Sequence, residues 1–88
     1  MLTLAVPEFI HWVRETGGIL VVDESRRTAH RLAGLEAIIW DELARPYPEL
    51  VSRLAALLEI PPIEAEIRLN AVLESWRRAG LLVEVRGG

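Results

Sequence analysis

The chain has 88 residues, of which 51% are hydrophobic and 26% are charged, and its formal net charge is −3. This composition is typical of a folded globular chain and excludes a disordered one, and the length allows one domain. The absence of cysteine excludes a disulfide framework and a thiolate metal site. All ten basic residues are arginine. A nucleic-acid-binding protein usually has more basic than acidic residues, so the net negative charge predicts no nucleic-acid partner.

The hydrophobic segments are short. No run approaches the roughly 20 apolar residues that are needed to span a bilayer. Residues 1–7 lack the basic start and the long apolar core of a signal peptide. We therefore predict a soluble, cytoplasmic protein with no membrane partner.

The first third of the chain is predicted to form three strands. Residues 9–15 are rich in aromatic and β-branched side chains, and the Gly17-Gly18 pair that follows is a hairpin signal. Residues 19–22 are apolar and predict a strand that is buried on both faces. Residues 23–27 form a polar turn. Residues 28–32 predict a third, more polar strand, which should lie at a sheet edge.

Two helices are predicted next. Apolar residues recur at helical spacing over residues 35–43, and Gly34 can serve as the N-cap. The Pro-Tyr-Pro segment at residues 46–48 ends that helix. A second apolar stripe follows over residues 50–58. Two neighbouring amphipathic helices separated by a proline turn are therefore expected.

The third helix is predicted from Pro62 to Ala79. Proline suits a first helical turn, and Gly80 stands where a helix favours a left-handed C′ residue. Residues 81–85 form an apolar tail, either a short strand or a wing. The predicted fold class is α+β, with a three-stranded antiparallel sheet followed by three helices in a winged helix-turn-helix-like arrangement.

The third helix has two faces that differ in composition. Its predicted core face is apolar and comprises Ala65, Leu69, Val72, Leu73 and Trp76. The opposite face begins apolar and becomes small and then charged, with Ile63, Ile67, Asn70, Ala71, Glu74 and Arg78. An apolar start favours the wall of a groove. The alternative is that the two isoleucines cover the neighbouring helices.

Two segments carry a resemblance to a known family. Residues 23–43, DESRRTAHRLAGLEAIIWDEL, together with residues 76–82, WRRAGLL, resemble the PqqD-like family, also called RiPP recognition elements, where RiPP denotes a ribosomally made and modified peptide. The family pattern has a strand ending in an acidic residue, a strand ending in leucine, a helix with Ile-Trp near its middle, and a Gly-Leu-Leu ending after the last helix. Here Leu32, Ile39-Trp40, Leu43 and Gly80-Leu81-Leu82 occupy those places.

The resemblance covers about residues 9–83, which we take as the core of a single PqqD-like domain spanning residues 1–88. Two positions depart from the family pattern. Ala33 stands where the family commonly has asparagine, and residues 25–27 hold no glycine where family turns usually have one. These departures concern the geometry of the turn before the third strand.

The resemblance implies a function. Family members bind the leader of a precursor peptide in the cleft between the third strand and the third helix. Free-standing members of this length resemble the small leader-binding proteins of lasso-peptide or pyrroloquinoline-quinone maturation, with the lasso type favoured by analogy. The implied partners are a precursor peptide and a maturation enzyme such as a leader peptidase.

An exposed edge strand offers unpaired N–H and C=O groups to which a peptide can add as a further strand. Backbone bonds carry no sequence information, so specificity must come from side-chain pockets. Ile67 and Ala71 would form the pocket, with the small Ala71 allowing close approach. Glu74 and Arg78, with His30 or Arg31, would read charge along the leader. The predicted site comprises Thr28, Ala29, His30, Arg31, Leu32, Ile67, Asn70, Ala71, Glu74 and Arg78.

Four of these residues also have a purely structural interpretation. His30 shares a strand face with Leu32 and could be a half-buried structural histidine. Arg31 could be an edge charge that blocks aggregation, and Glu74 with Arg78 could be a surface i,i+4 pair.

The three tryptophans have separate predictions. Trp40 and Trp76 are predicted in the core. Trp12 is predicted either in the core or in an exposed patch that a partner enzyme uses.

The sequence shows no catalytic pattern. HExxH, a Gly-rich phosphate loop and GxSxG are all absent, and His11 and His30 are the only imidazoles. We predict no enzymatic activity, no metal site and no cofactor. Two other functions stay open: a winged-helix DNA-binding protein, and an interaction domain that acts with a larger enzyme without binding a leader.

Overall fold

The computed structural model describes residues 2–86, with side chains for residues 4–85. Five strands and three helices follow one another in this part of the chain. They are β1 (Leu2–Ala5), β2 (Ile10–Glu15), β3 (Gly18–Asp23), β4 (Thr28–Leu32), α1 (Leu35–Asp41), α2 (Tyr47–Leu58), α3 (Pro62–Ala79) and β5 (Val83–Arg86). The predicted α+β order of three antiparallel strands and then three helices is confirmed by β2–β4 and α1–α3.

The three-stranded sheet has the order β2-β3-β4, and both pairs are antiparallel. The register places Trp12, Val21 and His30 side by side across the sheet. Since side chains alternate along a strand, these three share one face. Val21 is fully buried, which identifies this face as the one that packs on the core.

The glycine pair between β2 and β3 is required at both positions. Gly17 has φ 85°, which favours glycine. A Cβ on Gly18 would lie 2.2 Å from the Leu32 carbonyl oxygen, so only glycine fits beside β4. The hairpin prediction is confirmed, and Gly18 also allows β4 to approach the start of β3 closely.

A second, two-stranded antiparallel sheet pairs β1 with β5. The sequence did not predict β1. The sequence predicts either a short strand or a wing for the tail, and the structure shows the strand Val83–Arg86 after the buried Leu81 and Leu82. This ribbon joins the two ends of the described chain.

The helix boundaries largely follow the proline and glycine signals. Gly34 is the N-cap of α1 with φ 59°, and Gly80 follows α3 with φ 82°. The α1 helix ends at Asp41, two residues before the predicted end. The left-handed residue after α2 is Glu59, φ 54°, which the sequence did not indicate because glutamate rarely takes that conformation.

The core lies between the sheet and the helices, and indole rings connect its parts. Trp12 on β2 makes an edge-to-face contact with Trp40 on α1, with ring centroids 5.5 Å apart. Trp40 makes a second such contact with Trp76 on α3, at 5.2 Å. Trp40 and Trp76 are buried, as predicted, whereas Trp12 is 53% exposed. No helix within residues 2–86 is long and apolar enough to cross a bilayer.

Candidate functional site

The strand β4 lies at one end of the three-stranded sheet. Within residues 2–86 no strand pairs with its second edge. Alternate residues of such an edge direct their backbone N–H and C=O groups outward, where another extended chain can bind them. The predicted edge strand is therefore confirmed.

The other end strand, β2, has a different neighbour. Trp12 contacts Trp40 of α1, and the Arg14 guanidinium donates two hydrogen bonds, of 2.9 and 2.6 Å, to the Asp41 carboxylate. The turn before β4 instead contacts the end of α3, because Arg26 Nη1 donates to the Ala79 carbonyl oxygen at 3.1 Å. The β2 strand thus lies near α1, and the turn between β3 and β4 lies against the end of α3.

The side chains of β4 alternate as predicted. Leu32 is buried and His30 is half-buried on the core face, as a structural histidine would be. Ala29 and Arg31 are exposed on the other face, where Arg31 Nη1 donates to Glu15 Oε2 at 2.6 Å. Thr28 is exposed at the start of the strand. Arg31 is therefore tied to β2 across the sheet.

The outward face of α3 begins with two exposed isoleucines. Ile63 is 66% exposed and Ile67 is 64% exposed, so they do not cover the neighbouring helices. Asn70 and Ala71 are exposed as well. A run of large apolar side chains in water next to a small alanine is the surface that the groove-wall interpretation requires.

The charged end of α3 is internally paired. Arg77 Nη2 donates to both Glu74 oxygens at 2.8 Å, and Arg78 Nε lies 3.3 Å from Glu74 Oε1. Arg77 also bonds Glu84 of β5 at 3.1 Å. The hydrogen bonds from Arg77 hold the pKa of Glu74 below its usual value. The predicted i,i+4 pair of Glu74 and Arg78 is present.

A recess of about 890 Å³ lies on one flank of α3. The loop between α1 and α2, the β1–β5 ribbon and α3 form its walls, and Asn70 and Glu74 contribute to its lining. The Tyr47 hydroxyl donates to Asn70 Oδ1 at 2.7 Å within it. Two of the predicted site residues therefore lie beside the ribbon and Tyr47. Sequence reasoning missed Tyr47, for which the only signal was an aromatic residue between two prolines.

The turn before β4 is organised by a buried carboxylate. Asp23 ends β3 and is fully buried. Its Oδ1 accepts hydrogen bonds from Ser25 Oγ at 2.6 Å and from the Arg26 backbone N–H at 3.1 Å. Its Oδ2 has no hydrogen-bond partner among the described residues, and Arg26 Nε lies 4.0 Å away. Arg27 completes the turn with φ 53°, a left-handed conformation that favours glycine.

Acid should destabilise the protein through Asp23. The hydrogen bond from Ser25 lowers the pKa of Asp23 below its ordinary value of 3.8, against the opposing effect of burial. A carboxylate with a lowered pKa in the folded state stabilises that state above the unfolded pKa. The contribution is lost as the pH falls through the folded pKa. We expect Asp23→Asn to lower the free energy of unfolding at neutral pH and to flatten its decline below pH 3.8.

Urea unfolding at pH 7, 5, 4 and 3, followed by tryptophan fluorescence, measures this difference. The control is Glu24→Gln, which removes a neighbouring exposed carboxylate. Parallel pH profiles for Asp23→Asn and the unmodified chain would contradict the role given to Asp23.

The arginines of α3 bear on the DNA-binding alternative. A recognition helix needs free cations and amides for phosphates and base edges. Here Arg68 pairs with Glu64 at 3.0 Å, and Arg77 and Arg78 both pair with Glu74. This pairing neutralises the helix surface and counts against DNA binding. Among the described residues, no group of three or more histidine, aspartate or glutamate side chains is placed to hold a metal ion.

The fold defines a class of protein: a small α+β domain with a winged helix-turn-helix-like arrangement and an open edge strand. No family model and no curated protein sequence matches the chain. Among solved structures, the chain is similar to one described as "Lasso peptide synthetase B1 complexed with the leader peptide". The two share 17% sequence identity and superpose with a TM-score of 0.83, covering 91% of this chain and 96% of the other. The similarity is one of fold, and it agrees with the predicted resemblance to a PqqD-like RiPP recognition element.

Proposed function

We propose that this chain is a leader-peptide-binding protein that acts without catalysis in the cytoplasm, as a single domain. It captures the leader of a ribosomally made precursor peptide and presents it to a maturation enzyme such as a leader peptidase. The observation that carries the proposal is the open edge of β4, a strand whose preceding turn contacts the end of α3. The structural neighbour supports it, since that protein was solved with its leader peptide bound.

The leader would bind by strand addition. Each backbone hydrogen bond to β4 would contribute about 0.5–1.5 kcal/mol net. The five residues of β4 set the length of strand that can pair. These bonds supply affinity without sequence preference, and α3 supplies the selectivity.

Side chains of the leader would contact the outward face of α3. Burial of one apolar anchor against Ile67 contributes about 1.5–3 kcal/mol. Ala71 leaves room for the peptide backbone. Asn70, Glu74 and Arg78 lie further along the same helix and would select polar or charged leader residues. Four backbone bonds and two anchors contribute at most about 12 kcal/mol, and subtraction of about 4 kcal/mol for association and ordering corresponds to a Kd of about 1 µM.

Fluorescence anisotropy tests the proposal. The probe is a fluorescein-labelled synthetic leader peptide of a lasso-peptide precursor, and a scrambled peptide of the same composition is the control. We expect saturable binding of the leader with a Kd of about 1 µM, and at least tenfold weaker binding of the scrambled peptide. Equal binding of both peptides, or none at high micromolar protein, would overturn leader capture.

A further inference from the structure

The side chain of Arg26 connects the β3–β4 turn to the end of α3. Its Nη1 donates to the Ala79 carbonyl oxygen at 3.1 Å. A Cβ on Gly80 would lie 3.0 Å from Arg26 Cζ, so the guanidinium lies directly against the residue that follows the helix. The last carbonyl groups of a helix lack partners within it and carry partial negative charge. A cation at this place is therefore stabilising.

The backbone of Arg26 is held in place as well. Its N–H donates to Asp23 Oδ1 at 3.1 Å, and its Nε lies 4.0 Å from Asp23 Oδ2. Asp23 is fully buried at the end of β3, so it is a fixed point in the core. One residue thus connects the sheet to the helix, and we call this arrangement the Arg26 bridge.

We propose that Arg26 is a positioning residue that fixes the separation between β4 and α3. This inference rests on the proposed function, because those two elements are the walls of the proposed leader cleft. Thr28, the first residue of β4, follows Arg26 by two positions, and Ala79 is the last residue of α3. A cleft that is held at its binding width before the leader arrives does not have to be ordered on binding, which improves affinity.

The binding test compares three variants. We expect Arg26→Ala to weaken the affinity for the fluorescein-labelled leader about tenfold, a change of about 1.4 kcal/mol. Arg26→Lys should recover part of the loss, because an ammonium can still donate to the Ala79 carbonyl. Arg27→Ala is the matched control: it removes the same charge from the same turn, where Arg27 is exposed, and we expect its affinity to stay within about twofold. Equal affinities of Arg26→Ala and Arg27→Ala would overturn the proposed effect of Arg26 on leader affinity.

A distance measurement separates positioning from a general loss of stability. The chain has no cysteine, so Ala29→Cys and Ala71→Cys can carry one spin label each without interference. Pulsed electron spin resonance without peptide then reports the separation of β4 and α3. We expect Arg26→Ala to broaden the distance distribution, and Arg27→Ala to leave it unchanged. A narrow distribution in Arg26→Ala would overturn the positioning role even if that variant melts at a lower temperature.

The two proposals can fail separately. The distance measurement needs no ligand, so it tests the bridge whether or not the leader binds. If the unmodified chain did not bind the leader, the leader-binding function and the effect of Arg26 on affinity would both be overturned. A broadened distance distribution in Arg26→Ala would still support the positioning role. Tight leader binding that Arg26→Ala leaves unchanged would overturn the affinity effect alone.

Discussion

Replacing Ala71 with arginine is expected to weaken leader binding about 100-fold or more, which corresponds to about 2.8 kcal/mol. Ala71 is exposed on the outward face of α3, four residues after the exposed Ile67. An arginine there would occupy the space that the leader backbone is proposed to use. It would also place a cation where apolar leader side chains are expected to be buried. Leader anisotropy titrations measure the loss directly.

The matched control is Ala56→Arg, at another exposed alanine, inside α2. Both variants add the same side chain to a helix surface, so both should keep the thermal stability of the unmodified chain within a few degrees. We expect Ala56→Arg to bind the leader normally. If Ala71→Arg retained full affinity, the leader would have to bind elsewhere than on this face of α3.

Truncation of Trp76 to alanine is expected to have the largest effect on stability, about 3–5 kcal/mol. Trp76 is buried to 2% exposure, contacts Trp40 edge to face and donates its Nε1–H to Glu36 Oε2 at 3.2 Å. Its loss would leave a cavity and a carboxylate without its donor. The total free energy of unfolding of a small domain is only about 5–15 kcal/mol, so a large fraction of the Trp76→Ala molecules could unfold. Urea unfolding followed by far-UV circular dichroism measures the change.

Trp12→Ala provides the comparison for this variant. Trp12 has the same indole and a similar edge contact with Trp40, but half of it is in water. Its loss should cost about 0.5–1.5 kcal/mol from the aromatic pair. Equal destabilisation by both variants would show that the stability depends on ring contacts rather than on burial at α3.

Local pattern was sufficient to predict the central part of the fold. Strand alternation over residues 28–32 and helical periodicity over residues 62–79 predicted which side chains of β4 and α3 face the core and which are exposed. The Pro62 and Gly80 signals placed both ends of α3. The β1–β5 ribbon could not be predicted in the same way, because residues 2–5 pair with residues 83–86. A pairing between the two ends of the chain leaves no mark in any short window of sequence.

The candidate site was predictable only as two separate faces. Periodicity gives the angular position of Asn70 and Glu74 on the helix, but it does not show which element lies on each flank. The structure places both beside Tyr47 and the ribbon. The contact between Arg26 and Ala79 joins residues 53 positions apart through one long side chain, so no spacing rule could indicate it. Helical spacing did indicate the pair of Glu74 and Arg78, whereas the contact of Arg77 with Glu84 reaches another element, and spacing within the helix could not show it.

The most direct test of strand addition is an N-methylation scan of the leader peptide. Each backbone N–H of the synthetic leader is replaced in turn by N–CH₃, and the affinity for the unmodified chain is measured by anisotropy. The account predicts that affinity falls at every second position over a segment about as long as the five-residue β4, because alternate N–H groups face the strand. Amide-to-ester replacements, which remove the donor without adding bulk, should show the same period. Sensitivity at three- and four-residue spacing, or no sensitive position at all, would contradict strand addition to β4.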